Sequence, residues 1–117
     1  MITKDDFIAL EEQIEPLVKQ KQLKTDRAHE LLDEYYHLII RYLEQINQIN
    51  QFDIHHIGDY PMIPMNFEER YEYINARIYH FMGYRQMVTL KDELIKMNAR
   101  YQLKLKREAK LKEQKDN

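Results

Sequence analysis

Between Ala28 and Ile49 the apolar residues Ala28, Leu32, Tyr35, Ile39, Tyr42, Ile46 and Ile49 recur at alternating steps of four and three. That period, held for three heptads, fits an α-helix with a buried seam and fits no strand, whose side chains alternate every second residue. Leu31, Leu38 and Leu43 widen the seam to the breadth a helix needs when it packs against more than one neighbour. The segment 26–50 is therefore read as the central helix of an all-α chain.

The other segments repeat the period less fully. Phe7, Leu10, Ile14 and Leu17 mark a first helix over about 4–22, capped by Thr3 and kinked at Pro16, which removes a backbone donor. Phe67, Tyr71, Ile74, Ile78 and Phe81 mark a third over 67–82, with Asn66 and Glu69 in capping-box spacing and Gly83 as its stop. Met87, Leu90, Leu94, Met97 and Tyr101 mark a fourth over 84–105. Residues 51–66 break the period with Gly58, Pro61 and Pro64, yet Phe52, Ile54, Ile57, Tyr60, Met62, Ile63 and Met65 are too many for a solvated linker. The expectation is a compact bundle of about four main helices with a long packed loop. Residues 1–101 form its single domain, and 102–117 a lysine-rich tail or helix extension.

Composition removes several kinds of chemistry. Among 117 residues there is no cysteine and no serine, three threonines, and glycine only at Gly58 and Gly83. A nucleophilic centre wants a serine, cysteine or activated threonine beside a base, and a phosphate cradle wants several glycines. A net charge of −2 gives no general attraction to nucleic acid or anionic lipid. No run of eighteen apolar residues occurs and the first residues carry no apolar signal stretch, so a cytoplasmic protein without a membrane partner or a cofactor is expected.

Three groups of polar residues are candidates for binding. Asn66, Arg70, Tyr73, Arg77 and His80 share a side of the third helix, with Tyr84 just beyond, and two guanidiniums there suit a carboxylate or phosphate. His29, Glu30, Asp33, Glu34 and His37 on the second helix are metal-ligating types, and Glu34 and His37 have the spacing used in di-iron bundles, although a complete centre needs that motif on two helices plus a glutamate from each of two others. The tail, with Lys104, Lys106, Arg107, Lys110, Lys112 and Lys115, is where nucleic acid would be met if it is met at all.

Pro61, Pro64 and Asn66, then Glu68, Glu69 and Arg70, then Arg77, His80 and Phe81, then Leu90, Glu93 and Leu94 form a pattern that resembles the YpoC-like family of small bacterial proteins, mainly over residues 61–94. The resemblance implies no activity and no catalytic residue. Family genes often lie near those of an endonuclease III type repair enzyme and a replication initiation protein, which implies a DNA-maintenance context. Gly83 and the lysine-rich tail depart from the pattern. The expected function is that of a non-enzymatic interaction or adaptor protein that recognises a protein partner through the third helix and the neighbouring proline-containing loop, with self-association into a homodimer also expected from the heptads. A metal-binding protein or enzyme using the second-helix cluster is the alternative.

Overall fold

A computed structural model describes residues 1–116 and contains four α-helices: α1 (Lys4–Lys19), α2 (Asp26–Asn47), α3 (Phe67–Ala76) and α4 (Phe81–Asp116), with a short 3₁₀ helix at Ile54–Asp59. Asn117 lies outside the described residues. The side-chain contacts fix the topology. Glu15 meets Tyr84 while Glu11 meets Lys91, so α1 runs antiparallel to α4. Tyr35 meets Tyr84 while Tyr42 meets Asn98, so α2 runs parallel to α4. Arg70 on α3 meets Glu93 and Asn75 meets Tyr36. The result is an up-down-up-down bundle, and the molecule is elongated, 61 × 30 × 22 Å, because α4 outruns its neighbours.

Local chemistry explains the helix ends. The Thr25 hydroxyl accepts the Ala28 N–H (3.2 Å), and the Asp6 carboxylate reaches back to the Thr3 N–H (2.8 Å), so α2 and α1 begin where the capping residues place them. α1 continues through Pro16 and stops three residues later. There Gln22 N–H bonds the Leu17 carbonyl and Lys21 N–H that of Val18, a reverse turn that holds Lys21 at φ 57°.

The structure departs from four expectations about α3 and α4. α3 ends at Ala76, not 82, and Asn66 opens it from a left-handed conformation without a side-chain cap bond, so the capping box does not form. Gly83 is not a stop but lies in the first turn of α4. A Cβ there would come within 1.8 Å of the Arg77 carbonyl oxygen, so the absent side chain lets the end of α3 fold back against the start of α4. The fourth helix starts at Phe81, not 84, and runs unbroken to Asp116, beyond 105, so of the two forms expected for the last residues, tail or helix extension, the described ones take the second.

The core is the one the periodicity marks. Phe7, Ile14, Leu32, Tyr35, Leu43, Met87 and Leu94 are fully enclosed, and the rings of Phe7, Tyr35 and Tyr42 meet edge to face at 5.5–5.9 Å. The 51–66 segment packs as expected except at its end, where Met65 is 82% exposed. The segment is tied down by buried Asn47. Its amide oxygen accepts the Met62 N–H (2.7 Å) and its nitrogen donates to the Met62 carbonyl (3.0 Å), so both backbone groups are satisfied away from water.

A polar network runs through this core. Lys91, 4% exposed, donates to Glu11 (2.8 Å) and Asp92 (2.7 Å), and Glu11 also accepts the Tyr35 hydroxyl (2.5 Å). Beside it the Tyr84 hydroxyl donates to Glu15 (2.9 Å). Burial alone would lower the Lys91 pKa, but the hydrogen bonds to Asp92 and Glu11 outweigh it and the net shift is upward. Burial, then the hydrogen bond to a carboxylate, pushes Tyr35 and Tyr84 far above their ordinary value.

Three predictions follow from these contacts. Gly83→Ala, which on helix propensity alone would stabilise by up to about 1 kcal/mol, is expected to destabilise by about 2–3 kcal/mol because the clash is with backbone; urea denaturation decides the sign. Lys91→Met strands Glu11 beside an apolar chain and is expected to cost about 2–4 kcal/mol, with part of the loss recovered in the double variant Lys91→Met, Glu11→Gln. Tyr35, Tyr84 and Lys91 keep their protons in the folded protein at a pH where the unfolded chain, with tyrosine at 10.0 and lysine at 10.5, releases them. Their contribution is complete below about pH 10 and is lost as the pH rises above it, at up to about 1.4 kcal/mol per pH unit for each group. Tyr35→Phe should make that decline shallower in denaturation curves taken between pH 8 and pH 11.5.

Candidate binding site

The turn between α1 and α2 and the turn between α3 and α4 lie together at one end of the bundle. They enclose an open cleft of about 620 Å³ lined by Val18, Lys21, Leu23, Lys24, Tyr79, His80 and Phe81. The left-handed Lys21 turns the chain so that Leu23 faces the cleft from one wall. On the other wall Arg77 ends α3, the His80 N–H bonds the Arg77 carbonyl (2.9 Å), and the His80 ring nitrogen Nδ1 accepts the Met82 N–H (3.1 Å), so His80 caps α4. This leaves Tyr79, Phe81 and Met82 40–45% exposed around one tight turn. The floor is apolar, and the charged atoms at the rim belong to two lysines, with a histidine beside them.

The six stripe residues do not share one surface. Tyr84 is fully buried and bonded to Glu15. Arg70 is paired with Glu93 at 2.8 Å, its side chain 18% exposed, and ties α3 to α4. Asn66 starts α3 at the opposite end. Arg77 stacks its guanidinium on the Tyr73 ring at 4.0 Å, and with His80 these two remain near the cleft's edge. Of the two stripe arginines, Arg70 is committed to a carboxylate and Arg77 to an aromatic face.

The acid and histidine group on α2 is drawn into the same end, through Tyr79. The Tyr79 ring stacks on His29 with centroids 4.0 Å apart, and its hydroxyl donates to Asp33 (2.9 Å), a bond that raises the tyrosine pKa. Glu30 pairs with Arg27 (3.4 Å), and His37 donates from Nδ1 to the Asp33 carbonyl one turn back (2.7 Å). Glu34 is exposed. Among the described residues no group of three or more histidine and carboxylate side chains is placed to hold a metal ion. What His29 and Asp33 do is fix Tyr79 as a rigid wall of the cleft.

Tyr79, Phe81, Lys21 and Lys24 were not evident as site residues. The signal was present in the run from Ile78 to Tyr84, which crowds four aromatic or histidine side chains around one glycine at the point where two helical stripes meet. Among the described residues no helix is long and apolar enough to cross a membrane.

No curated protein and no solved structure matches the chain. The family described as YpoC-like protein matches residues 3–106, reaching well beyond the 61–94 pattern into α1, α2 and the root of the protruding part of α4. With that match covering most of its 117 residues, the chain belongs to the YpoC-like family.

Proposed function

We propose that this protein is a non-enzymatic binding module that captures a segment of a partner protein in the cleft between the two turns. The observation that carries the reading is the lining of that cleft: an apolar floor from Val18, Leu23 and Phe81, a tyrosine wall held by His29 and Asp33, and Lys21 and Lys24 at the mouth. Tyrosine, phenylalanine and methionine exposed together are the residue types that dominate binding energy at protein interfaces. A rigid aromatic wall costs little entropy when a ligand arrives. The fitting segment presents one large apolar side chain to the floor and an adjacent carboxylate to the lysines. The absence of cysteine and serine from the whole chain agrees with recognition in preference to covalent catalysis.

A photo-reactive benzoylphenylalanine in place of Phe81, activated in cells of the native host, is expected to yield one dominant cross-linked protein. Adding Lys21→Glu and Lys24→Glu should reduce that product at least ~10-fold while leaving the thermal unfolding midpoint of the purified chain unchanged. A cross-linking pattern with no dominant product, or one indifferent to the charge reversal, contradicts the proposal.

A further inference from the structure

The two halves of the molecule differ in charge. Residues 1–95 hold ten Lys and Arg against seventeen Asp and Glu, a net of −7; residues 96–117 hold eight against three, a net of +5. From Ala99 to Lys115 every residue is exposed, so α4 leaves the bundle as a bare rod of about 25 Å at 1.5 Å per residue. Lys96, Arg100, Leu103, Arg107 and Lys110 follow one another at steps of four, three, four and three, which places them on one acid-free face of that rod.

The acidic counterpart is on the bundle. Residues 42–69 contain five carboxylates and no lysine or arginine, and Glu68, Glu69 and Glu72 occupy adjoining positions on the exposed side of α3. Lys96 and Arg100 line a shallow groove with Ile63, Pro64, Met65, Met97 and Glu93, the last already paired with Arg70, and the next groove along shares Ile63 and Pro64 and ends in Glu68 and Glu69. The basic and the acidic grooves therefore adjoin across Ile63 and Pro64, and the exposed Met65 lines the basic one.

We infer that the occupant of the basic face is a second copy of this chain. Two copies turned antiparallel about an axis near Met65 bring each rod onto the Glu68, Glu69 and Glu72 face of the other. Both contacts are then attractive and the assembly closes as a two-fold dimer. Met65, Ile63 and Met97 of both copies form the apolar centre, and the charge pairs form the rim. Two rods cannot pair through their basic faces, since antiparallel alignment about Leu103 sets Arg100 opposite Arg107. A polyanion such as duplex DNA would also meet the rod, but it gains nothing from the α3 carboxylates, which repel it. The inference is independent of what fills the cleft at the other end of the bundle.

Sedimentation equilibrium on the full chain, with a labelled 20-base-pair duplex as a second probe, tests it. The wild type is expected to be dimeric in low salt at about 100 µM, with a dissociation constant at least ~10-fold weaker in 1 M salt. Lys96→Glu with Arg100→Glu and Arg107→Glu should give a folded monomer, and so should Glu68→Lys with Glu69→Lys and Glu72→Lys; circular dichroism confirms folding of both. An equimolar mixture of the two variants restores both contacts, one with native and one with reversed polarity, and should dimerise. A monomeric wild type, a rod variant that stays dimeric, or a mixture that stays monomeric overturns the inference. So does a monomeric wild type that binds the duplex and loses it in the rod variant.

Discussion

One ammonium group, Lys91 on α4, holds three helices in register. It grips Glu11 of α1, which in turn takes the Tyr35 hydroxyl of α2; Lys91 and Tyr35 are buried and Glu11 is partly so, beside the aromatic core around Phe7. Apolar seams alone tolerate sliding, because a leucine one turn along is nearly as good a neighbour as the first. A slide of one turn displaces Glu11 by about 5.4 Å, leaving the buried Lys91 with Asp92 as its one carboxylate and the Tyr35 hydroxyl without its acceptor, which is more costly than a lost methylene contact. The Tyr84–Glu15 bond, one turn nearer the cleft, repeats the same restriction between α4 and α1. Register then decides where the two turns meet, and hence the shape of the cleft between them.

The heptads carried most of this fold in plain view: every residue of the α2 seam from Ala28 to Ile46 is buried. Lys91 was hidden for a reason that can be stated. In the run Leu90-Lys91-Asp92-Glu93 it reads as one more solvated charge, although Met87, Lys91, Leu94 and Asn98 are themselves spaced four, three and four and so share the core side of α4. Period, taken without regard to polarity, marks Lys91 as buried; composition misplaces it. The α3–α4 turn was hidden because Ile78 and Phe81 continue the stripe of α3 in sequence while the chain reverses at Arg77. A tight turn of four residues preserves a heptad count, and it is the close approach of Gly83 to the Arg77 carbonyl, with the His80 N–H bonded to that same oxygen, that records it. The stripe of Arg70, Arg77 and Tyr84 failed as one surface for a related reason: a straight helix was assumed where two meet, and Glu93 and Glu15 claimed two of its members.

The protruding part of α4 poses a different question, since an isolated helix of that length is marginal in water. Here the nucleation cost is met by the packed half of the same helix, so each added residue needs only to propagate. Ala99, Gln102, Lys104, Glu108 and Ala109 are good helix formers, Lys104 and Glu108 stand one turn apart at 4.0 Å, and the lysines near the end oppose the negative pole of the helix dipole. The rod is therefore held straight without neighbours, and it leaves Leu103, Leu105 and Leu111 40–59% exposed together with unbalanced positive charge. A surface of that kind is lowered in energy by anything acidic that also offers apolar contact, and the Glu68 to Glu72 face beside Met65 offers both.

Both proposed contacts are built on α4, at its opposite ends. Its first turn, through Phe81 and the histidine cap, forms one wall of the cleft, and its last five turns form the basic rod. If two copies associate rod to bundle, the clefts lie at the far ends of the pair and open away from each other. Such a dimer does not grip a single segment twice; it joins two separate segments, and avidity appears only where a partner is itself multivalent or anchored. Binding at the cleft and association at the rod then act independently in energy while being fixed in geometry by one continuous helix, which is the arrangement an adaptor requires.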